Sequence, residues 1–112
     1  MQTAARRSER VLADVPVVIY GTAGGHTPFR EETFTVTINA HGALLMLEAK
    51  VSPGQRLTLS NSTNSEQREC RVAYAGPDRA GLAQVAVEFT RPAPEFWALA
   101  SPPPSWSAAK SG

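Results

Sequence analysis

The fold is indicated most clearly by one stretch, which reads Thr33-Phe34-Thr35-Val36-Thr37-Ile38-Asn39-Ala40-His41-Gly42. Apolar side chains alternate with threonines over its first six positions, and β-branched and aromatic residues of this kind are enriched in strands. Successive side chains of a strand point to opposite faces of the sheet. We therefore expect a half-buried antiparallel strand with Phe34, Val36 and Ile38 facing the core and the threonines facing away.

Shorter segments with a similar strand character occur five more times along the chain. They cover residues 15–20, 43–47, 57–59, 70–74 and 85–89. The segments between them are rich in glycine, proline, serine and asparagine, which favour turns. These turn segments cover residues 21–28, 52–54, 61–65 and 76–81. Short strands joined in this way predict an all-β protein, a small six-stranded antiparallel β-barrel.

The last part of the chain predicts a short C-terminal helix. Pro94 suits the first position of a helix, and Glu95 suits the positive end of the helix dipole. Phe96 and Trp97 are expected to plug the end of the barrel, and the prolines at 102–104 are expected to stop the helix. The sequence thus predicts a division of the chain into three segments. These are a flexible arginine arm over 1–14, the barrel with its helix over 15–106, and a disordered tail over 107–112.

Composition indicates a single domain and argues against several kinds of partner. The chain has 112 residues, of which 42% are hydrophobic, and its formal charge is +1. So balanced a charge does not favour nonspecific binding to DNA or RNA. The longest apolar run, residues 43–47, is far too short to cross a bilayer, so membrane insertion is not expected.

Cysteine and histidine usage gives further expectations. Cys70 is the lone cysteine, which excludes an internal disulfide and predicts a buried hydrophobic role. The chain opens without the apolar segment of a signal peptide, so a cytoplasmic location is expected. His26 and His41 have no second ligand at metal spacing. No recognisable nucleophile–base pair or carboxylate pair is present, so we expect neither an enzyme nor a cofactor.

The N-terminal arm is the strongest candidate for ligand binding. It carries Arg6, Arg7 and Arg10, and an arginine guanidinium matches phosphate oxygens and also stacks on bases. Thr37 and Asn39, two residues apart on one strand, share a face and point away from the expected core. Gly42 then permits a positive φ or a close backbone approach to a bound group. A ligand with few phosphates suits this arrangement.

Taken together, these features resemble the PilZ domain family. The arm matches the family's RxxxR motif through Arg6 and Arg10, and the strand end is similar to its [D/N]xSxxG turn. Gly42 matches the final glycine of that turn, whereas Thr37 stands where the family has Asp or Asn and Asn39 where it has Ser. The resemblance covers residues 6–106, most of the chain.

The resemblance implies a receptor for the bacterial second messenger cyclic di-GMP that signals to an unidentified protein partner. Carried over from the family, Arg6 and Arg10 hold the ligand's phosphates and guanine edges, and Arg7 adds a phosphate or stacking contact. Thr37, Asn39 and Gly42 complete the site from the strand-end turn. Thr37 lacks the carboxylate or amide that would accept hydrogen bonds from guanine.

Several alternatives stay open at the level of sequence. The arm is also explained by a solvated tail, and Thr37, Asn39 and Gly42 by the exposed face and turn of a hairpin. A PilZ-like adaptor that has lost nucleotide binding and docks a protein directly is the main competing function. A barrel that binds single-stranded nucleic acid would require aromatic residues interleaved with basic ones on one face, and that pattern is not found.

Overall fold

A computed structural model describes residues 8–24 and 26–106 of the chain. The described residues form seven β-strands followed by a short 3₁₀ helix, Pro94–Trp97. The strands are β1 (Val11–Leu12), β2 (Pro16–Ala23), β3 (Thr27–Asn39), β4 (Gly42–Leu47), β5 (Arg56–Asn61), β6 (Gln67–Ala75) and β7 (Ala83–Phe89). The predicted tail, 107–112, and the arm residues Arg6 and Arg7 lie outside the described part of the chain.

The strands form one antiparallel sheet that closes on itself. Its order is β1-β3-β2-β5-β6-β7-β4, and an additional pairing of β3 with β4 joins the two ends. Strands β2 to β7 therefore make a closed six-stranded barrel, which confirms the predicted fold class. Closure leaves these six strands without an open sheet edge.

Strand β1 is an addition that the sequence pattern did not indicate. Val11 lies opposite Ile38 and Leu12 opposite Thr37, so β1 and β2 follow one another along the same side of β3. The domain boundary expected at residue 15 therefore falls after the first pairing with the barrel. From Ser8 onward, the arm has defined contacts with the rest of the molecule.

The predicted apolar face of β3 is wrong for two of its three residues. Ile38 is buried, but the side chains of Phe34 and Val36 are 58% and 37% exposed, and Thr35 is buried instead. The cause is a β-bulge at Val36, where Thr35 pairs with Leu45 and Thr37 already with Leu44. One extra residue in a strand reverses which side chains face the core on either side of it.

The buried hydroxyl of Thr35 makes two hydrogen bonds with the chain segment between β1 and β2. It donates a hydrogen bond to the carbonyl of Ala13 and accepts one from the backbone N–H of Val15, at 2.9 Å. This segment, residues 13–15, bends between the two strands, so two of its polar backbone groups need other partners. The inward threonine supplies both.

The connection predicted over residues 21–28 is shorter than expected. Strand β2 continues to Ala23, which pairs with Thr27 at the start of β3, so the two strands occupy most of the predicted connection. Gly24 has a φ of +60°, a conformation that glycine adopts at little cost. Glycine at position 21 therefore marks a strand and not a loop.

Aromatic side chains close one end of the barrel, as predicted. Phe96 and Trp97 are buried in the core, and the Phe96 ring packs edge-on against Phe89 and Trp97 at centroid distances of 5.1 and 4.7 Å. The helix is a 3₁₀ helix that ends at Trp97, because Ala98 adopts a left-handed conformation. It therefore stops before the proline run that was expected to end it.

Trp106 joins the same core from the end of the described chain, and its side chain is fully buried.

Within the described residues, no helix has the length and apolar character needed to span a membrane.

Candidate functional site

A groove on the outer face of the barrel brings together all four described residues that the sequence predicted for ligand binding. It runs across β3, β4 and β7 and has a volume of about 220 Å³. Arg10, Thr37, Asn39 and Gly42 all line it. Pockets for drug-sized ligands have volumes of about 300–1,000 Å³, so the groove that the described residues form is smaller than a typical pocket of that kind.

Arg10 is the cationic group of this groove. Its side chain is exposed, and it forms no ion pair with any residue in the described ranges. An exposed guanidinium of this kind keeps its five N–H donors available for an anion. Of the three predicted arm residues, Arg10 alone can be placed, because Arg6 and Arg7 lie outside the described residues.

The base of the arm is fixed on one side by the β3–β4 turn. Ser8 is buried, and its hydroxyl oxygen lies 3.0 Å from Nδ1 of His41. The same oxygen accepts a hydrogen bond from the backbone N–H of Ala40, at 3.2 Å. These contacts, two residues before Arg10, tie the arm to the turn at one end of the groove.

Chain segments far apart in sequence fix the arm on its other side. The indole N–H of Trp106 donates to the carbonyl of Glu9, and the backbone N–H of Glu9 donates to the hydroxyl of Ser105. Arg10 is thus attached to a backbone that is held from two directions. Such anchoring reduces the conformational entropy that the backbone at Arg10 would otherwise lose on ligand binding.

Asn39 has a structural task in addition to its place in the groove. Its side-chain oxygen accepts hydrogen bonds from the backbone N–H groups of His41 and Gly42, at 2.9 and 2.8 Å. This is the local pattern by which asparagine stabilises a turn. The side-chain oxygen is therefore committed to the turn, while the amide N–H₂ makes only a long contact of 3.5 Å with the carbonyl of Ser8.

Thr37 faces the groove without such a task. Its side chain is half-buried, and its hydroxyl makes no hydrogen bond with another residue of the described segments. The residue pairs with Leu12 on one side and Leu44 on the other. Its hydroxyl is therefore available to a ligand, as the sequence predicted.

Gly42 is explained by strand packing. Its φ is not positive, and a Cβ at this position would lie 1.9 Å from the carbonyl oxygen of Val87 on β7. Neither the expected left-handed turn nor contact with a ligand is needed to account for the glycine. The sequence predicted that a bound group would approach the backbone closely at Gly42, but it is the neighbouring strand β7 that does so.

The structure adds groove residues that the sequence analysis did not single out. Leu44, Ala73 and Ala86 form a floor of apolar and mostly small side chains, and Glu88 stands beside them on β7. The alternation of β7 already indicated that Glu88 points outward, between the buried Val87 and Phe89. What it could not indicate is that β7 lies beside β4, since the two strands are distant in sequence.

An exposed apolar patch lies beside the groove. It consists of Leu12, Phe34 and Val36, on the outer face of β1 and β3, and the side chain of Leu12 is 82% exposed. Leu12 pairs directly with the groove residue Thr37. Contiguous exposed apolar side chains of this kind are typical of interaction surfaces.

Other reactive groups of the described chain are separate from the groove. Cys70 is fully buried in the barrel core, and burial raises the pKa of its thiol to about 12. The thiol therefore stays protonated and unreactive at neutral pH. Among the described residues, no three His, Cys, Asp or Glu side chains come together as a metal site.

No model of a known protein family matches the chain, and no curated protein sequence matches it either.

Proposed function

We propose that this barrel is a PilZ-type receptor module that binds cyclic di-GMP in the groove beside Arg10. The observation that supports it is the juxtaposition of Arg10 with Thr37, Asn39 and Gly42 in one surface groove. Arg10, from the first motif, and three residues of the second motif, about thirty residues later in the sequence, line the same groove.

The chemistry of the groove suits a nucleotide. The guanidinium of Arg10 pairs with a phosphate through parallel charge-assisted hydrogen bonds. Leu44, Ala73 and Ala86 line the groove with apolar side chains, against which one face of a base can pack. Thr37 donates a hydroxyl hydrogen bond, and Arg6 and Arg7 supply further phosphate or stacking contacts from the arm.

In this function the arm is the signalling element. Ligand binding to Arg10 and the preceding arginines orders the arm against the barrel and changes the surface that a protein partner recognises. The partner is not identified by the sequence. The proposal places the module in the bacterial cytoplasm, where it acts without a cofactor or a catalytic residue.

Calorimetric titration with cyclic di-GMP, with GMP as the control ligand, tests this function. Arg10→Ala is expected to weaken binding by about 10- to 100-fold, because a hydrogen bond to a charged group contributes about 1.5–3 kcal/mol. The double variant Arg6→Ala, Arg10→Ala is expected to abolish it. Arg79→Ala is the matched control, since Arg79 is equally exposed and lies outside the groove. Absence of binding to the wild-type protein overturns the proposal.

The exposed apolar patch favours a second function, that of a PilZ-like adaptor that docks a protein without nucleotide. In that case Leu12→Ser and Phe34→Ser abolish partner binding, whereas Arg10→Ala leaves it unchanged. Pull-down with each variant in the presence and absence of cyclic di-GMP separates the two functions, because only the receptor requires both the arginine and the ligand.

A further inference from the structure

The groove contains a carboxylate that neither the RxxxR motif nor the strand-end turn accounts for. Of the described residues that line the groove, Glu88 alone carries a carboxylate. Its neighbours Val87 and Phe89 point into the core, so the Glu88 side chain points outward on β7. It is half-buried there, on the side of the groove away from β3.

The register places Glu88 directly across the groove from Asn39. Asn39 pairs with Gly42, and Gly42 pairs with Glu88, so the three residues form one row over β3, β4 and β7. Adjacent strands are about 4.8 Å apart, and the outer two of this row are therefore separated by about 10 Å. Gly42 lies between them and lines the groove without contributing a side chain.

Among the described residues that line the groove, no other side chain offers two free acceptor oxygens side by side. Thr37 offers a hydroxyl, and the side-chain oxygen of Asn39 already accepts two backbone hydrogen bonds within the turn. Guanine, by contrast, presents two adjacent donors, N1–H and the N2 amino group. A carboxylate accepts both at once, and its two oxygens have about four acceptor positions, so Glu88 can serve the base while keeping another contact.

We propose that Glu88 is the specificity-determining residue of the groove and accepts hydrogen bonds from the N1–H and N2–H groups of a guanine base. It would thus supply, from β7, the carboxylate that Thr37 does not provide from β3. This role rests on the proposed function, because it concerns which base is selected by the same groove. Adenine has an unprotonated N1 and no N2 amino group, so the carboxylate discriminates against it.

The test compares cyclic di-GMP with cyclic di-AMP, two ligands with the same phosphate backbone. Glu88→Gln preserves the shape of the side chain but presents one acceptor and one donor, a pattern that suits adenine better than guanine. We expect binding of cyclic di-GMP to weaken by about 10-fold and binding of cyclic di-AMP to strengthen, so that the affinity ratio changes by more than about 10-fold. Glu88→Ala should weaken cyclic di-GMP binding without strengthening that of cyclic di-AMP.

Glu69→Gln is the matched control. It removes the same charge from an exposed glutamate on β6, outside the groove, and should leave the ratio unchanged. If Glu88→Gln weakens the binding of both ligands equally, Glu88 has a structural role. If it strengthens the binding of both equally, the carboxylate acts only by repelling phosphate. Either result overturns the specificity role, as does an unchanged ratio. Wild-type protein that binds neither ligand overturns the proposed function itself, and with it the role of Glu88.

Discussion

The indole Nε1 of Trp106 donates a hydrogen bond of 2.7 Å to the backbone carbonyl of Glu9, so that the two ends of the described chain are joined beside the groove. The neighbouring Ser105 hydroxyl accepts a hydrogen bond from the N–H of the same residue. Arg10 follows Glu9 directly, and its backbone therefore depends on a tryptophan 96 positions further along the sequence. The C-terminal segment is thus part of the support of the groove.

Replacement of Trp106 tests this support. Trp106→Ala is expected to destabilise the protein by about 3–5 kcal/mol, because it removes a fully buried aromatic side chain. Trp106→Phe keeps a ring but removes the indole donor, and should cost about 1–3 kcal/mol. Urea denaturation measures both. Ser101→Ala, at an exposed residue of the same segment, should change the free energy of unfolding by less than about 0.5 kcal/mol; an equal loss in that variant would contradict the assignment.

The bulge at Val36 predicts opposite effects for two apolar residues on one strand. Phe34→Ser should change stability by less than about 0.5 kcal/mol, because the ring is mostly exposed. Ile38→Ala should cost about 2–5 kcal/mol, because the side chain is fully buried. Thermal and urea unfolding distinguish the two. A large loss for Phe34→Ser would mean that the uninterrupted alternation of the sequence is correct and the bulge is not.

Thr35 and Thr37 differ in whether their hydroxyl is bonded within the described chain, so the two residues allow the contribution of a hydroxyl to stability and to binding to be compared. Thr35→Val leaves the carbonyl of Ala13 and the N–H of Val15 without their partner, and should destabilise the fold by about 1–3 kcal/mol. Thr37→Val removes a hydroxyl that no other described residue bonds, and should leave stability unchanged while weakening cyclic di-GMP binding. Urea denaturation and calorimetric titration of the two variants measure these effects. A loss of stability in Thr37→Val with none in Thr35→Val would contradict the prediction.

Gly42→Ala is expected to destabilise the barrel, and thereby to reduce ligand binding indirectly. The added Cβ would lie 1.9 Å from the Val87 carbonyl, so β4 and β7 must separate. A fall in melting temperature of several degrees should accompany it, since about 1 kcal/mol corresponds to about 4–8 °C for a domain of this size. Gly76→Ala is the control, because its φ is not positive either and its added Cβ would come no nearer than 3.0 Å to a neighbouring atom, the hydroxyl oxygen of Tyr74, so it should cost less. An unchanged melting temperature in Gly42→Ala would restore a ligand-based explanation of the glycine.

Because the thiol of Cys70 is buried, we expect the free energy of unfolding to fall at high pH. Its pKa rises from an ordinary value of 9.0 to about 12 in the folded protein because burial disfavours the thiolate. The group therefore stabilises the fold fully below pH 9, and this contribution is lost as the pH rises from 9 towards 12. Cys70→Ala should show a shallower decline of unfolding free energy over this range. Rapid reaction of the native thiol with a disulfide reagent at neutral pH would contradict the buried assignment.

The positions along the chain of six of the seven described strands, and most of the turns between them, could be predicted from the sequence. Alternating apolar residues and the intervening glycines and prolines act locally, so they are readable without knowledge of the partners of each strand. Thr37 was also identifiable as a polar residue that faces away from the core. These features depend on the chemistry of neighbouring residues along the chain.

By itself, then, the sequence determined a small antiparallel barrel of six strands with a short helix after the last one. Only the tertiary structure decided which face of β3 is buried, because the bulge at Val36 reverses the alternation and is visible only in the register with β4. It likewise decided that Glu88 stands across the groove from Asn39 and that Trp106 holds the arm. Register and closure depend on pairing between residues far apart in the chain, and no local pattern of side chains specifies those pairs.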